Sequence, residues 1–232
     1  MKIAIIPARG GSKRIPRKNI KVFCGKPIIA YSIVAALECG LFDRVLVSTD
    51  DEEIAEVSVK CGAQVPFLRP LELSDDYTGT GAVIKHAIGW FRGRGENVTS
   101  VCCIYATAPF IQSEFLIQGY DRLILSGKSY AFTVTSYAFP IQRSLRITVN
   151  GDVEAIYPEY RETRSQDLEG AYHDAGQFYW GKADAYLVDI PVFSHESAPI
   201  VIPRHFVQDI DTPEDWRRAE LMYAAWQMDV GR

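Results

Sequence analysis

Short apolar runs alternate with segments of helical periodicity through most of the chain, and this alternation restricts the fold more than any single motif. IAIIPA, from Ile3, is a continuous apolar run of the kind found in a strand buried on both faces. PIIAYSIVAALECG follows as a helix, with Pro27 in its first turn and Gly40 just past its end. RVLVS reads as a strand. TDDEEIAEVSVKCG reads as a helix capped by Thr49 or Asp50, with acids in its first turn and Gly62 after it. The order continues with QVPFL as strand, TGAVIKHAIGWF as helix, SVCCIYA as strand, SEFLIQGYDRLILSG as helix and YAFTVTS as strand. A βαβα order of this kind predicts an α/β fold, with a mostly parallel sheet and helices on both faces. Ligands in such sheets bind beyond the carboxyl ends of the strands, where the loop after the first run and the YATAPF loop both fall.

The pattern changes near residue 137. RITV-NG-DVEAIY predicts a hairpin with Asn150-Gly151 as a two-residue turn. The polar stretch RETRSQDLEGAYHDAG then leads into a strand, QFYWG. Residues 137–175 are expected to be an excursion at one edge of the sheet and an oligomer contact. Strand-like HFVQDI and the helix PEDWRRAELMYAAWQM end the chain. With 47% hydrophobic residues and no repeat or linker, residues 1–232 are expected to form one domain. No window approaches the roughly 18–20 apolar residues of a membrane span, and the start makes a poor signal peptide, which predicts a cytoplasmic protein without a membrane partner. Five cysteines without a CxxC pair, and four histidines without metal spacing, suit reduced thiols.

Charge concentrates in PARGGSKRIPRKNIK. Residues 9–21 hold six cations (Arg9, Lys13, Arg14, Arg17, Lys18 and Lys21) and no acid, in a chain of net charge −4. The chain's 25 cations less these six leave 19 against 29 acids. A nucleic-acid binder spreads basic charge along a face, so a local cluster favours a small polyanion and no nucleic-acid partner. The stretch contains neither GxxxxGK[ST] nor GxGxxG. What remains is Gly10-Gly11-Ser12 flanked by cations. Glycines permit unusual backbone angles and close approach of amides to a ligand, and Lys and Arg supply donors to phosphate oxygens. A triphosphate site accounts for the charge, the glycines and the position; a solvated basic loop accounts for the charge alone.

VQDIDTPEDW is the second informative stretch. In an extended segment Asp209 and Asp211 face the same side, with Ile210 turned inward. Two carboxylates so placed repel unless neutralised, and a hard divalent ion, Mg²⁺ (or Mn²⁺), does so while taking phosphate oxygens and water in its other positions. Thr212 and Pro213 start a helix, so Asp211 is also open to a capping role.

PARGGSKRIPRKN, VSTDDEEIAE, LRPLELSDD, YATAPF and QDIDTPEDW, in this order, resemble the CMP-sialate synthetases, cytidylyltransferases that activate nine-carbon acidic sugars. The resemblance spans essentially the whole chain. Within that family, YATAPF with RSQDLEGAYHDAGQFYWG is similar to the enzymes acting on pseudaminic acid. The resemblance implies a three-layer α/β/α sandwich with a Rossmann-like, mostly parallel sheet, and a homodimer exchanging a segment like 137–175. It also implies CTP and a nine-carbon acidic sugar as substrates: the sugar's anomeric hydroxyl attacks the α-phosphate and expels pyrophosphate.

Carried over by position, Arg9 and Lys13 match triphosphate contacts, with Gly10, Gly11 and Ser12 supporting them and Asn19 near the phosphates. Arg14 and Arg17 lie within the motif and are equally open to being solvated. Arg69 and Thr80 match the cytosine pocket, and Asp209 and Asp211 the metal pair. Arg9, Lys13 and Asp211 are the expected catalytic groups. Sialate synthetases typically have QPTSP where this chain has Tyr105-Ala106-Thr107-Ala108-Pro109, and an arginine in an RPNG-like stretch where it has His173-Asp174-Ala175-Gly176. These departures count against N-acetylneuraminate as the substrate and make Thr107, His173, Asp174 and Gln177 candidate readers of pseudaminate. Arg143 or Arg164 is expected to take the sugar carboxylate. The competing readings are the same chemistry on legionaminate, N-acetylneuraminate or Kdo, and a nucleotide-binding module without turnover.

Overall fold

In a computed structural model, which describes residues 1–230, the chain runs through β1 (Lys2–Pro7), the short pair β2 (Val22–Phe23) and β3 (Lys26–Pro27), α1 (Ile28–Glu38), β4 (Arg44–Ser48) and α2 (Glu52–Lys60). It continues through α3 (Thr80–Arg92), β5 (Ser100–Ile104), α4 (Ser113–Ser126), β6 (Tyr130–Ser136), β7 (Leu145–Ile147) and β8 (Val153–Ala155). The remaining elements are β9 (Tyr172–Lys182), α5 (Ala183–Leu187), β10 (Ser197–Val201) and α6 (Pro213–Val230). Six strands form one sheet in the order β10-β6-β9-β5-β1-β4. β9 is antiparallel to both its neighbours, and the other pairings are parallel.

Strand alternation divides the core into two layers. Ala4, Ile6, Val45, Val47, Cys102, Ile104, Phe178 and Trp180 face one way and pack with Ile29 and Ile33 of α1, Ile54 of α2, and Leu116 and Leu123 of α4. Ile3, Ile5, Leu46, Val101, Cys103, Tyr130 and Tyr179 face the other way and pack with Ile84, Ile88 and Phe91 of α3 and Tyr186 of α5. The expected three layers are present. A third cluster, around Phe23, Tyr31, Phe110, Ile210 and Trp216, fixes α6 against the β2–β3 turn and α1. Ile15, 2% exposed, anchors the basic loop in it.

Several local expectations are corrected, each for an identifiable reason. QVPFL makes two isolated bridges, Leu46 to Gln64 and Thr49 to Leu68, because Pro66 removes a ladder donor between them. HFVQDI is not a strand: Arg204–Phe206 is a 3-10 turn and the chain then runs irregularly to Asp211. The edge strand is SAPIV instead, which accommodates Pro199 because it pairs on one side only. The N-cap of α2 is Asp51, whose carboxylate accepts from the Ile54 amide at 3.0 Å. Pro27 precedes α1 as its cap instead of opening its first turn.

The hairpin β7–β8 closes on a three-residue loop. Gly151 N donates to Thr148 O at 3.0 Å, only Gly151 takes a positive φ (87°), and Asn150 does not. This is a turn followed by a glycine bulge instead of the two-residue form. Strand β9 begins at Tyr172, with His173 opposite Thr135 and Asp174 opposite Val134, so residues 172–175 lie in the main sheet. The segment that leaves the sheet is 137–171.

Gly119, on the inner face of α4, allows the helix to lie close on the aromatic face of β9. A Cβ there would stand 2.6 Å from Phe178 and 2.8 Å from Trp180, both fully buried. Gly119→Ala is expected to destabilise the fold by about 1–3 kcal/mol through overpacking, read as a lower urea midpoint with unchanged slope.

Candidate active site

The direction of chain winding reverses at β1: α1 leads to β4 on one side, and the next strand, β5, lies on the other. Loops leaving the carboxyl ends of β1 and β5 therefore diverge and leave a crevice between them. A cavity of ≈ 330 Å³ opens there. The basic loop lines it with Arg9, Ser12, Lys13, Arg14, Lys18 and Asn19; Tyr105, Ala106 and Thr107 follow β5; Arg69, Asp76 and Thr80 line it from the α2–α3 side, and Asp211 from before α6. Gly10 and Gly11 are not among its lining residues.

Both glycines of the loop have roles other than those expected, and neither adopts a positive φ. Gly10 donates its amide to Asp50 at 3.0 Å, and a Cβ on it would meet the Asp51 carboxylate at 2.7 Å. Close contact with the start of α2 requires glycine there. Gly11 has open space around it, and its amide has no protein acceptor among the described residues. Left-handed backbone falls on Arg17 instead (φ 53°), where the loop turns into a 3-10 segment. Asn19, 8% exposed, spans the loop by donating to Arg9 O at 2.9 Å.

Every cation of the loop is engaged by a group distant in sequence. Arg17 pairs with Asp51 at 2.5 Å and with Glu53, and is a structural tie to α2. Arg9 contacts Asp76 at 2.7 Å and Asp75 O at 2.8 Å, and Lys13 also reaches Asp76. Arg14 lies 2.8 Å and Lys18 3.1 Å from Asp211, and Lys18 also donates to Ile210 O. Lys21 sits 4.5 Å above the Trp216 ring. Arg69, 5% exposed, is oriented by Ser74 at 3.1 Å and Asp50 at 3.5 Å, so Asp50 joins it to the Gly10 amide.

Asp209 and Asp211 are brought together without a strand. Asp211 faces the first cavity and Asp209 a second one of ≈ 680 Å³. The packing around Asp209, although solvent reaches its side chain, and the neighbouring Asp211 charge push the Asp209 carboxyl above the ordinary value. No cation lies within ion-pair distance of Asp209 among the described residues. Hard oxygen donors at a mutually unfavourable spacing fit a divalent cation, and two carboxylates leave coordination positions for ligand oxygens and water. Capping at α6 is reciprocal: Thr212 Oγ1 accepts from the Asp215 amide at 3.2 Å and the Asp215 carboxylate accepts from the Thr212 amide at 2.8 Å, leaving Asp211 outside that role.

The second cavity is lined by His173, Asp174, Arg204, Gln208, Asp209 and Arg218, among others, and Tyr105 lines both cavities. Asp174 accepts from the Tyr179 hydroxyl and, at 3.0 Å, from the Gly176 amide. Burial, with the Tyr105 ring and the Asp174 carboxylate beside it, pushes the Tyr179 hydroxyl well up, so it stays a donor. His173 Nδ1 lies 2.9 Å from Asp174 O, and its ring meets Tyr137 edge-on.

Four residues expected to read the sugar do not line the second cavity. Gln177 is 3% exposed and donates to Phe206 O at 2.5 Å, so it packs beneath the cleft. Arg143 donates to Thr163 O and Arg164 pairs with Asp167 at 2.7 Å, both on the excursion and lining neither cavity. Thr107 lines the first cavity instead of the second. Asp50, Asp76 and Lys18 escaped sequence reasoning as site residues, although Lys18 lies within the recognised loop. Arg204 and Arg218 carried no signal beyond lying near the DxD segment.

The family model described as cytidylyltransferase matches residues 3–224. The chain is 46% identical over 221 residues to pseudaminic acid cytidylyltransferase of Campylobacter jejuni, covering 95% of each chain. It is 31% identical over 225 residues to CMP-N,N'-diacetyllegionaminic acid synthase of Legionella pneumophila, covering 94% of each. Among solved structures, CMP:2-keto-3-deoxy-manno-octonic acid synthetase complexed with CTP superposes with a TM-score of 0.68 at 15% identity, over 97% of this chain and 98% of that one. The fold is shared at that distance.

Asp51 joins the cap of α2 to the basic loop, and the Arg17 guanidinium holds its carboxyl at about 2, below the ordinary 3.8. A depressed folded value contributes stability that is complete above the unfolded value and is lost as pH falls through the folded one. This contribution therefore drains away between 3.8 and about 2. Asp51→Asn keeps a capping side chain but loses the charged pair with Arg17, and is expected to remove this contribution from the acid transition and to cost about 1–2 kcal/mol near neutrality, measured by circular dichroism melts across pH.

Proposed function

The chain belongs to the cytidylyltransferase family, and on that premise we propose that it transfers CMP from CTP to the anomeric hydroxyl of pseudaminic acid, releasing pyrophosphate. One observation carries the reading beyond family membership: the loop 9–21 and Asp211, nearly two hundred residues apart, line one crevice. A cluster of cations and a carboxylate thus meet where the sheet's winding reverses, which supports a polyanion with a metal ion as the ligand.

In this reading Arg9 and Lys13 exchange Asp76 for oxygens of the triphosphate, with Ser12 and the free Gly11 amide beside them. Asn19 keeps the loop closed under the phosphates. Arg69 and Thr80 border the base, Arg69 pre-oriented by Asp50 and Ser74. Asp209 and Asp211 hold Mg²⁺ or Mn²⁺, which neutralises phosphate charge and acidifies the attacking hydroxyl when bound. Lys18 and Arg14 fix Asp211 from the phosphate loop, so carboxylate and loop move as one unit. The new bond joins the anomeric oxygen to the α-phosphorus as the bond to the β-phosphate breaks, and positioning with charge neutralisation supplies most of the acceleration.

Tyr105, His173 and Asp174 line the sugar side, with Thr107 at the nucleotide side. The excursion exposes Phe139, Leu145, Ile147, Val149 and Val153. Such a surface supports a homodimer in which a second copy covers it, and Arg143 and Arg164 would then serve the partner's cleft. No helix among the described residues is long and apolar enough to cross a membrane, and the proposed location is the cytoplasm, where CTP is found.

The test is a panel of sugar acids with CTP and Mg²⁺, followed by pyrophosphate release. Pseudaminate is expected to be the best substrate; equal turnover of N-acetylneuraminate overturns the assignment. Chelation should abolish turnover and added Mg²⁺ restore it. Asp211→Asn should lower kcat by roughly 100-fold or more while the fold is retained. Asp76→Asn frees Arg9 and Lys13 and is expected to lower KM for CTP roughly two- to five-fold at low salt, the gain fading as salt screens exposed charge.

A further inference from the structure

The two cavities share Tyr105 and divide the DxD pair between them, Asp211 to the first and Asp209 to the second. This placement constrains an acidic sugar acting as nucleophile. In a 2-keto sugar acid the carboxylate and the reacting hydroxyl are attached to the same carbon. When that hydroxyl reaches the α-phosphate, the carboxylate is carried to the same border. It therefore arrives beside Asp209, with Asp211 and a triphosphate close by. A carboxylate brought beside a triphosphate opposes binding unless cations face it, even where a metal ion on the DxD pair offsets Asp209 and Asp211.

The cations of the nucleotide side are committed. Arg9 and Lys13 face the phosphates, and Arg14 and Lys18 hold Asp211. Arg143 and Arg164 line neither cavity in their own chain. The guanidinium groups lining the second cavity are Arg204, in the 3-10 turn ahead of the DxD segment, and Arg218, in the second turn of α6 just after it. The two flank the metal carboxylates in sequence. Neither pairs with a carboxylate within ion-pair distance among the described residues, whereas eight other arginines do. The Arg204 side chain has a single long contact, Nη1 to Tyr137 O at 3.3 Å, and the Arg218 side chain has no hydrogen bond among the described residues. His173, the other basic side chain on this wall, already has its Nδ1 against Asp174 O.

We propose that Arg204 and Arg218 form the subsite for the sugar carboxylate, holding it in the second cavity on the side of Asp209. Planar guanidinium groups suit a carboxylate, and two of them offset its repulsion from the neighbouring triphosphate. The subsite selects 2-keto sugar acids against neutral sugars and orients the anomeric carbon towards the nucleotide. It rests on the proposed sugar-acid cytidylyltransferase activity but is indifferent to which sugar acid is used.

The experiment compares a sugar acid that the wild-type protein turns over with its carboxamide, at saturating CTP, in wild type and in the Arg204→Ala/Arg218→Ala double variant. Wild type is expected to prefer the acid. The double variant should raise KM for the acid roughly 10- to 50-fold, leave KM for CTP within two-fold, and treat acid and amide nearly alike. A CTP-induced thermal shift equal to wild type verifies its fold. An active double variant with an unchanged acid-to-amide ratio overturns the arginine assignment and leaves the activity standing. Collapse of that ratio in Arg143→Ala/Arg164→Ala alone overturns it too, placing the carboxylate on the excursion. A wild-type protein that turns over no sugar acid removes the activity, and the subsite with it.

Discussion

Six like charges within thirteen residues cannot share a loop unless something opposes them, and much of the molecule around β1 answers that demand. The start of α2 contributes Asp51 and Glu53 to Arg17, the segment before α3 contributes Asp76, the approach to α6 contributes Asp211, and the first turn of α6 contributes the Trp216 ring. These segments lie far apart in sequence, so satisfying the loop brings together the edges of a single crevice. Folding and site assembly are thereby one process: the contacts that make the loop tolerable also define the walls of the cavity.

The buried Asp50–Arg69 contact has a different character from the exposed pairs. Asp50 holds the Gly10 amide, and Arg69 is almost fully shielded. Breaking such a contact leaves a charge without water or partner, which is costly, whereas exposed pairs such as Lys13–Asp76 exchange readily. The crevice thus has a fixed floor and an exchangeable rim, suited to a site that must stay shaped while its ionic partners change.

Most of the architecture was legible because it rests on strong local patterns. Continuous apolar runs marked β1, β4, β5 and β6, and glycines marked the ends of α1, α2 and α4. The failures have local physical causes. Pro199 disguised a genuine edge strand, Pro66 broke an apparent one, and HFVQDI had strand composition without a neighbour to pair with. At the site, the basic loop and the DxD pair announced themselves by charge. Gly10 did not reveal its reason, because the group it avoids, Asp51, lies forty-one residues away. Asp76 and Arg218 were equally silent, since their importance comes from what the fold places opposite them. Arg143 and Arg164 show the reverse case, in which resemblance marked residues that the chain's own cavities do not use.

The carboxylates on the rim of the crevice also change the thermodynamics of filling it. An anion that enters displaces Asp76 from Arg9 and Lys13 instead of meeting bare cations. Binding is therefore an ion exchange within the protein, with fewer mobile counterions released than the number of lining cations suggests. Its dependence on salt should be shallow for so charged a cleft, and selectivity among anions then follows from how well each outcompetes a built-in carboxylate. A monovalent anion resembles what is already there, whereas a polyphosphate spanning several cations does not.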